Sequence, residues 1–398
     1  MIGIFFIFFL FVIILLFVIK KYKNENCDRE GLYSVNNTHM TFPILKSNIN
    51  HHNKTVRILS NISSAGLKYD AEIYNKLLNN SYICSFFNKN NIPSDEKNKN
   101  VDINIHIEKI WWDNSVLPAK QNWFVINQEF FDEPLSKLKL INKIICKTHY
   151  ALNLMKNIKQ KFNLNYDVIY IGHTSNGPYN LSYNYFKQKD ETIFLHTAGQ
   201  SPLKNTKLLI EVWNDLHKKY PFIKLYITCK KFCKIMTPLD YLKSKNGIIY
   251  NEYYDQSEFD NLRKKAICVI CPSVVEGFGH YINEGRAYGC AVITTDGPPM
   301  NEFVIENKNG MLIPYKKSVN SSDIINMYTK YIHNNILDLF SIRCHDSMAF
   351  LISYNDLYNT IEKFITLDYN KKIEMCKNSR KMYEMDNLIF QNNLTQQF

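Results

Sequence analysis

The chain has no disulfide framework: its ten cysteines are scattered, which excludes a small stapled scaffold. Cys229 and Cys233, taken with Cys268 and Cys271, have the outward look of a zinc quartet, but the second pair lies within or beside an apolar strand and reads as buried thiols. No metal site is expected. The first residues lack the basic n-region and the small cleavage-site residues of a removable signal peptide. Residues 2–19, IGIFFIFFLFVIILLFVI, also lack any polar face, so they do not read as a buried soluble helix. As a helix this run spans about 27 Å, close to the hydrocarbon core of about 30 Å, and residues 1–23 are therefore expected to be a single-pass membrane anchor. Residues 24–54 are polar and aperiodic and read as a stem.

Acidic residues are the minority charge, 37 against 48 Lys and Arg, for a net charge of +11. Such an excess suits a diphosphate ligand, an anionic membrane surface or nucleic acid. Abundant Asn, Lys, Ile, Tyr and Phe fit AT-rich coding, which weakens the nucleic-acid inference. Asn-x-Ser/Thr sequons at Asn36, Asn53, Asn61, Asn79, Asn180, Asn320 and Asn393 are what so asparagine-rich a chain produces by chance, and they fix no compartment. A length of 398 residues with 45% hydrophobic content is enough for two cores.

The chain is organised around residues 266–304, AICVICPSVVEGFGHYINEGRAYGCAVITTDGPPMNEFV. Two apolar runs flank a glycine loop and a segment of about ten residues ending at Gly289, a strand, loop, helix, strand pattern. Gly277 and Gly279 let a ligand approach the backbone, and the helix after them offers N–H groups suited to a phosphate. A carboxylate against a diphosphate would be repelled, so Glu276 and Glu284 should meet neutral hydroxyls such as those of a nucleotide sugar. The plainer reading is two acids favoured by a helix dipole, and the residues alone leave both open.

The run Glu276-Gly277-Phe278-Gly279, followed by Glu284 and then Gly289-Cys290-Ala291-Val292-Ile293, resembles the donor-site signature of the retaining glycosyltransferases of family 4, the group 1 transferases with the GT-B fold. The resemblance implies that Glu276 contacts the transferred sugar and Glu284 the nucleotide ribose. Residues 199–206 resemble the loop in which that family holds the donor diphosphate with an arginine and a lysine. Lys204 supplies the lysine, while Gln200 stands where the arginine is expected. The turn 296–302 is similar to a second phosphate loop, with Asn301 at a helix start.

In chain order, residues 56–60 read as a first strand and 67–78 as a helix, with Gly66 between them as a donor or acceptor contact or as a helix-start glycine. Residues 101–107 alternate strictly, which predicts a half-buried strand rather than a central parallel one. Residues 122–127 predict a central strand ending at Gln128 and Glu129. The family commonly has a histidine there, so Glu129 becomes the candidate acceptor contact, against a solvated loop acid. His173, in the turn-rich stretch 172–178 where the family has its interdomain loop, is expected at the cleft as a candidate catalytic residue, against a loop histidine with no chemical role. Residues 310–314 are expected to form the last strand, and helices are expected from residue 354 onward.

The expectation is an α/β protein of GT-B type, two Rossmann-like domains facing a cleft, with an N-terminal transmembrane helix. An acceptor-side domain would span residues 55–189 and a nucleotide-sugar domain 190–353, with helices over 354–398 packing back on the first domain. The expected partners are a nucleotide sugar, a glycan, lipid or protein acceptor, and a membrane through residues 2–19, with no cofactor and no nucleic acid. Lys20, Lys21 and Lys23 follow the apolar run, so the positive-inside rule puts the catalytic domains in the cytosol. A catalytically silent sugar-binding membrane protein and a nucleic-acid-binding protein are the alternatives.

Overall fold

A computed structural model describes residues 54–398 except 62–64, 79–82, 89–91, 93, 111–116, 179, 183, 200, 230–244, 252–253, 322, 325–341 and 344–346. The expected anchor, the stem up to residue 53, Gln200 and Cys233 thus lie outside the described residues. Among the described residues no helix is long and apolar enough to cross a membrane.

Six short strands build the first sheet: β1 (Thr55–Ser60), β2 (Ile83–Asn88), β3 (Val101–Ile107), β4 (Ala119–Val125), β5 (Lys143–Cys146) and β6 (Asp167–Tyr170). They are parallel and ordered β2-β1-β3-β4-β5-β6. Helix α1 (Ala65–Leu78) returns from β1, burying Leu67, Ala71, Tyr74 and Leu78 at helical spacing. Helix α2 (His149–Lys161) starts where the Thr148 hydroxyl accepts from Ala151 N–H at 3.1 Å.

β3 corrects the sequence reading. It is a central parallel strand, paired with β1 and β4, and its polar Asn104 and His106 are as buried as its apolar residues, with Asp102 half-buried at its start. The reason is a polar seam between neighbouring strands. Arg57 Nη1 donates to Asn104 Oδ1 at 3.1 Å, and Asn104 Nδ2 donates to Asn122 Oδ1 and Leu117 O, both at 3.0 Å. Alternation marks a solvated face only when nothing across the sheet satisfies the polar residues.

The second sheet contains β7 (Asp190–Gly199), β8 (Lys224–Cys229), β9 (Ile248–Asn251), β10 (Ala266–Cys271), β11 (Ala291–Thr295) and β12 (Gly310–Ile313), all parallel in the order β9-β8-β7-β10-β11-β12. The strand order reverses between β7 and β10, where open α/β sheets bind ligands beyond the strand ends. Helices α3 (Thr206–Lys219), α4 (Gln256–Lys265) and α5 (His280–Ala287) connect these strands. Residues 310–314 are not the last strand. An antiparallel ribbon of β13 (Tyr315–Asn320) and β14 (Met348–Ile352) follows; its exposed Lys-rich first strand gives no apolar run to detect.

Helix α6 (Tyr354–Ile365) buries Leu357, Ile361, Phe364 and Ile365 on the second sheet. Helix α7 (Tyr369–Thr395) packs first on that sheet through Met375 and Cys376. It then reaches the first sheet's side, where Phe390 lies 6.1 Å from the Tyr74 ring.

Candidate active site

Neighbouring strands β7 and β10 bring their loops together, and Val274 N–H donating to Leu203 O at 2.9 Å fastens them. Lys204 Nζ therefore stands 3.1 Å from Glu276 Oε1 although 72 residues separate them. Both side chains are part-buried. The Ser273 hydroxyl donates to the same Glu276 oxygen at 2.6 Å and is itself bonded to the Tyr281 hydroxyl. Lys204 Nζ lies 3.3 Å from the centroid of the Tyr281 ring, which pins the ammonium from below.

His196 builds the floor of this loop. Its Nδ1 meets Ile270 O at 2.7 Å, and a carbonyl can only accept, so Nδ1 carries the proton and Nε2 accepts from Thr206 Oγ1 at 2.8 Å. Burial pushes the imidazole down to about 4, so it stays neutral and fixes the start of α3 just after Lys204.

The glycine loop has steric reasons for its glycines. Gly279, at φ 83°, is left-handed and opens α5. A Cβ on Gly277 would come within 2.5 Å of the Glu129 carboxyl oxygens, so only glycine lets that acid approach. Glu129 reaches from the first domain, and its Oε2 is sealed from solvent without a hydrogen-bond partner among the described residues. Burial, with Glu108 and Glu276 nearby, pushes its carboxyl up to about 8. The folded chain then holds this proton between about pH 4.5 and 8, where the unfolded chain releases it. The resulting stabilisation is full in acid and is lost as pH rises through about 8. Glu129→Gln should flatten that part of the profile, giving a variant more resistant to urea than the parent above pH 8. Parallel profiles in urea titrations across this range would show a carboxyl free to ionise.

The other expected residues fall at different distances from this centre. Glu284, on α5, accepts from Arg263 Nη2 at 2.6 Å, and Arg263 also stands 3.6 Å from Asp260. Asn301 donates to Asp296 Oδ1 at 3.1 Å and so braces its turn. Phe278 is buried edge-on to His173 and Phe303, at 4.9 and 5.2 Å between ring centres, so its side chain packs rather than lining a surface. Gly66 is exposed with open space around it. His173 is buried behind the cleft, with Nε2 2.7 Å from Asp70 Oδ1, and burial pushes it down to about 4.

Asp70 is the residue that sequence reasoning missed. Its carboxylate is buried, which alone would raise its pKa. Lys147 at 2.9 Å and hydrogen bonds from His173 and His280 outweigh that and hold it well below the usual carboxylate range. The donor atoms of Asp70, His173 and His280 lie within 4.8 Å of one another. Both imidazole Nε2 atoms nevertheless touch one carboxylate oxygen, at 2.7 and 2.8 Å, where neighbouring ligands of a tetrahedral zinc stand about 3.3 Å apart. With Lys147 already balancing the charge, the cluster is a hydrogen-bonded knot across the two domains. A histidine directly after the glycine loop was its one sequence signal.

Two more side chains bridge the cleft, each through two hydrogen bonds. Gln128 Nε2 donates to Glu276 O and Gly277 O, both at 2.9 Å. The Glu302 carboxylate accepts from His149 and Tyr150 N–H, both at 2.8 Å, and so caps α2 from the opposite domain.

Residues 180–337 match the family model described as glycosyl transferases group 1. A glycosyltransferase of Methanocaldococcus jannaschii is 28% identical over 49% of this chain and 51% of its own length. One from Sulfolobus islandicus rod-shaped virus 1 is 31% identical over 29% of this chain and 37% of its own. The chain thus spans about half the length of the first of these relatives. Among solved structures, sucrose-phosphate synthase from Thermosynechococcus elongatus superposes with a TM-score of 0.58 at 11% identity, covering 87% of this chain and 99% of the other. Anabaena HepE in complex with UDP and glucose gives 0.56 at 13%, covering 87% and 99%. These likenesses show an α/β fold of GT-B type. Residues 180–337, which carry both Lys204 and Glu276, are thus similar to the group 1 glycosyl transferases.

Proposed function

We propose that the protein is a retaining glycosyltransferase that moves a sugar from a nucleotide-diphosphate donor to a hydroxyl acceptor. The observation that carries this is the pairing of Lys204 with Glu276 beside a glycine loop at the point where the second sheet reverses its order. Lys204 and the loop N–H groups would neutralise the diphosphate, Glu276 would hold the hydroxyls of the transferred sugar, and Glu284 the ribose. The bond from the anomeric carbon to the phosphate oxygen breaks as the bond to the acceptor oxygen forms on the same face. The acceptor proton passes to the leaving phosphate. Glu129, pressed on Gly277 from the first domain, is the acceptor-side contact.

The Anabaena neighbour was solved with UDP and glucose, so UDP-glucose is the first donor to try. A thermal-shift screen of nucleotide sugars tests the reading, because a bound donor raises the melting temperature by mass action. Stabilisation by a nucleotide sugar with no hydrolysis or transfer would favour a silent sugar-binding protein. No stabilisation by any nucleotide sugar would remove the donor site.

Residues 2–19 would anchor the enzyme as a single pass with its domains in the cytosol, a side compatible with free, buried Cys146, Cys268, Cys271, Cys290 and Cys376. Full-length protein in microsomes should then be digested by protease without detergent. Protection, together with glycans on Asn36 or Asn53, would reverse the orientation.

A further inference from the structure

We propose that the glycine loop 276–280 takes its working shape from the first domain, with Gln128 and Asp70 as positioning residues at its two ends. The inference rests on the donor role given to this loop above. Gln128 is 1% exposed, and its amide has two hydrogens, one for Glu276 O and one for Gly277 O. At the other end His280 Nε2 meets Asp70 Oδ1 at 2.8 Å, while His280 Nδ1 lies 2.9 Å from Ser175 Oγ. Asp70 cannot drift, because Lys147 and His173 hold it at 2.9 and 2.7 Å.

Peptide planarity turns these bonds into a consequence for the ligand. In a trans peptide the C=O of one residue and the N–H of the next point in opposite directions. With the carbonyls of Glu276 and Gly277 drawn toward Gln128, the N–H groups of Gly277 and Phe278 face away from the first domain. Lys204 reaches the same loop through the Glu276 carboxylate, 3.1 Å away. When the domains part, Gln128 leaves, and glycine at position 277 allows the peptide planes to rotate. Donor affinity is thereby coupled to closure through residues that do not touch the donor. The family position of a histidine is filled here by a segment whose glutamine grips the donor loop.

Hydrogen–deuterium exchange of the ligand-free full chain tests this without knowledge of the substrate. Gln128→Ala and His280→Ala should each speed exchange of Ile282 and Asn283, whose N–H groups donate to Gly279 O at the end of the loop, at least tenfold, with α3 unchanged and the melting temperature within a few degrees. Gln128→Glu matches the shape but lacks the two hydrogens, so it should behave like the alanine variant. Wild-type exchange in Gln128→Ala and His280→Ala would mean that the second domain alone holds the loop, and wild-type exchange in Gln128→Glu would mean that the amide hydrogens do not; either result overturns the proposal. UDP and GDP titrations supply the second readout. Where the wild type binds one of them, Gln128→Ala should weaken binding at least fivefold, and unchanged affinity would overturn the coupling to donor. Binding of neither nucleotide, with the exchange response intact, would overturn the donor reading and with it the coupling, while the positioning of the loop would stand.

Discussion

Lys204→Ala should reduce kcat/KM by at least a hundredfold, about 2.7 kcal/mol of transition-state stabilisation, while leaving the fold in place. The ammonium is part-buried, 3.1 Å from Glu276 and over the Tyr281 ring, so it is already aimed where the leaving diphosphate would gather charge. Its pairing with Glu276 is partly open to solvent and contributes about 1 kcal/mol or less to folding. The melting temperature should therefore move by only a few degrees. Steady-state kinetics with the donor found by screening decide the matter. Parental turnover in the variant would mean that Lys204 does not act on the donor.

The second large effect is expected at Glu276→Gln, a loss of roughly tenfold to more than a hundredfold in kcat/KM, borne by kcat. The change keeps the shape but removes the charge that Lys204 and Ser273 now hold, and with it a charge-assisted hydrogen bond of about 1.5–3 kcal/mol. Glu284→Gln makes the informative contrast. It removes the charge that faces Arg263, which is 8% exposed and keeps Asp260 at 3.6 Å, so nucleotide affinity and stability should fall together. Isothermal titration with UDP separates the two, since Glu276→Gln should bind nucleotide nearly as the parent does. Lost nucleotide affinity at Glu276 with none lost at Glu284 would reverse the two assignments.

The second sheet was legible because its strands are short apolar runs separated by loops whose glycines and charges stand in the order of a known signature. Lys204 and Glu276 could be named from that order, and the structure brings them within 3.1 Å. β3 was misread because Asn104 and His106 look solvent-facing in one dimension, and the partners that make the burial of Asn104 tolerable, Arg57, Asn122 and Leu117 O, lie elsewhere in the sequence. Asp70 was invisible for a related reason. An acid on an amphipathic helix is unremarkable until His280 arrives from 210 residues away. The ribbon was missed at β13, whose exposed, Lys-rich residues make no apolar pattern.

Helix α7 bears on how the chain is made. Asn393 donates to Ile171 O at 3.4 Å, Lys143 donates to Gln397 at 3.0 Å, and the Phe398 ring lies 4.8 Å from Trp123. A ribosome completes β1 to β6 long before it adds these residues, so the first sheet waits, one flank bare, until α7 leaves the exit tunnel. That flank closes only after the strands of the second sheet have been made.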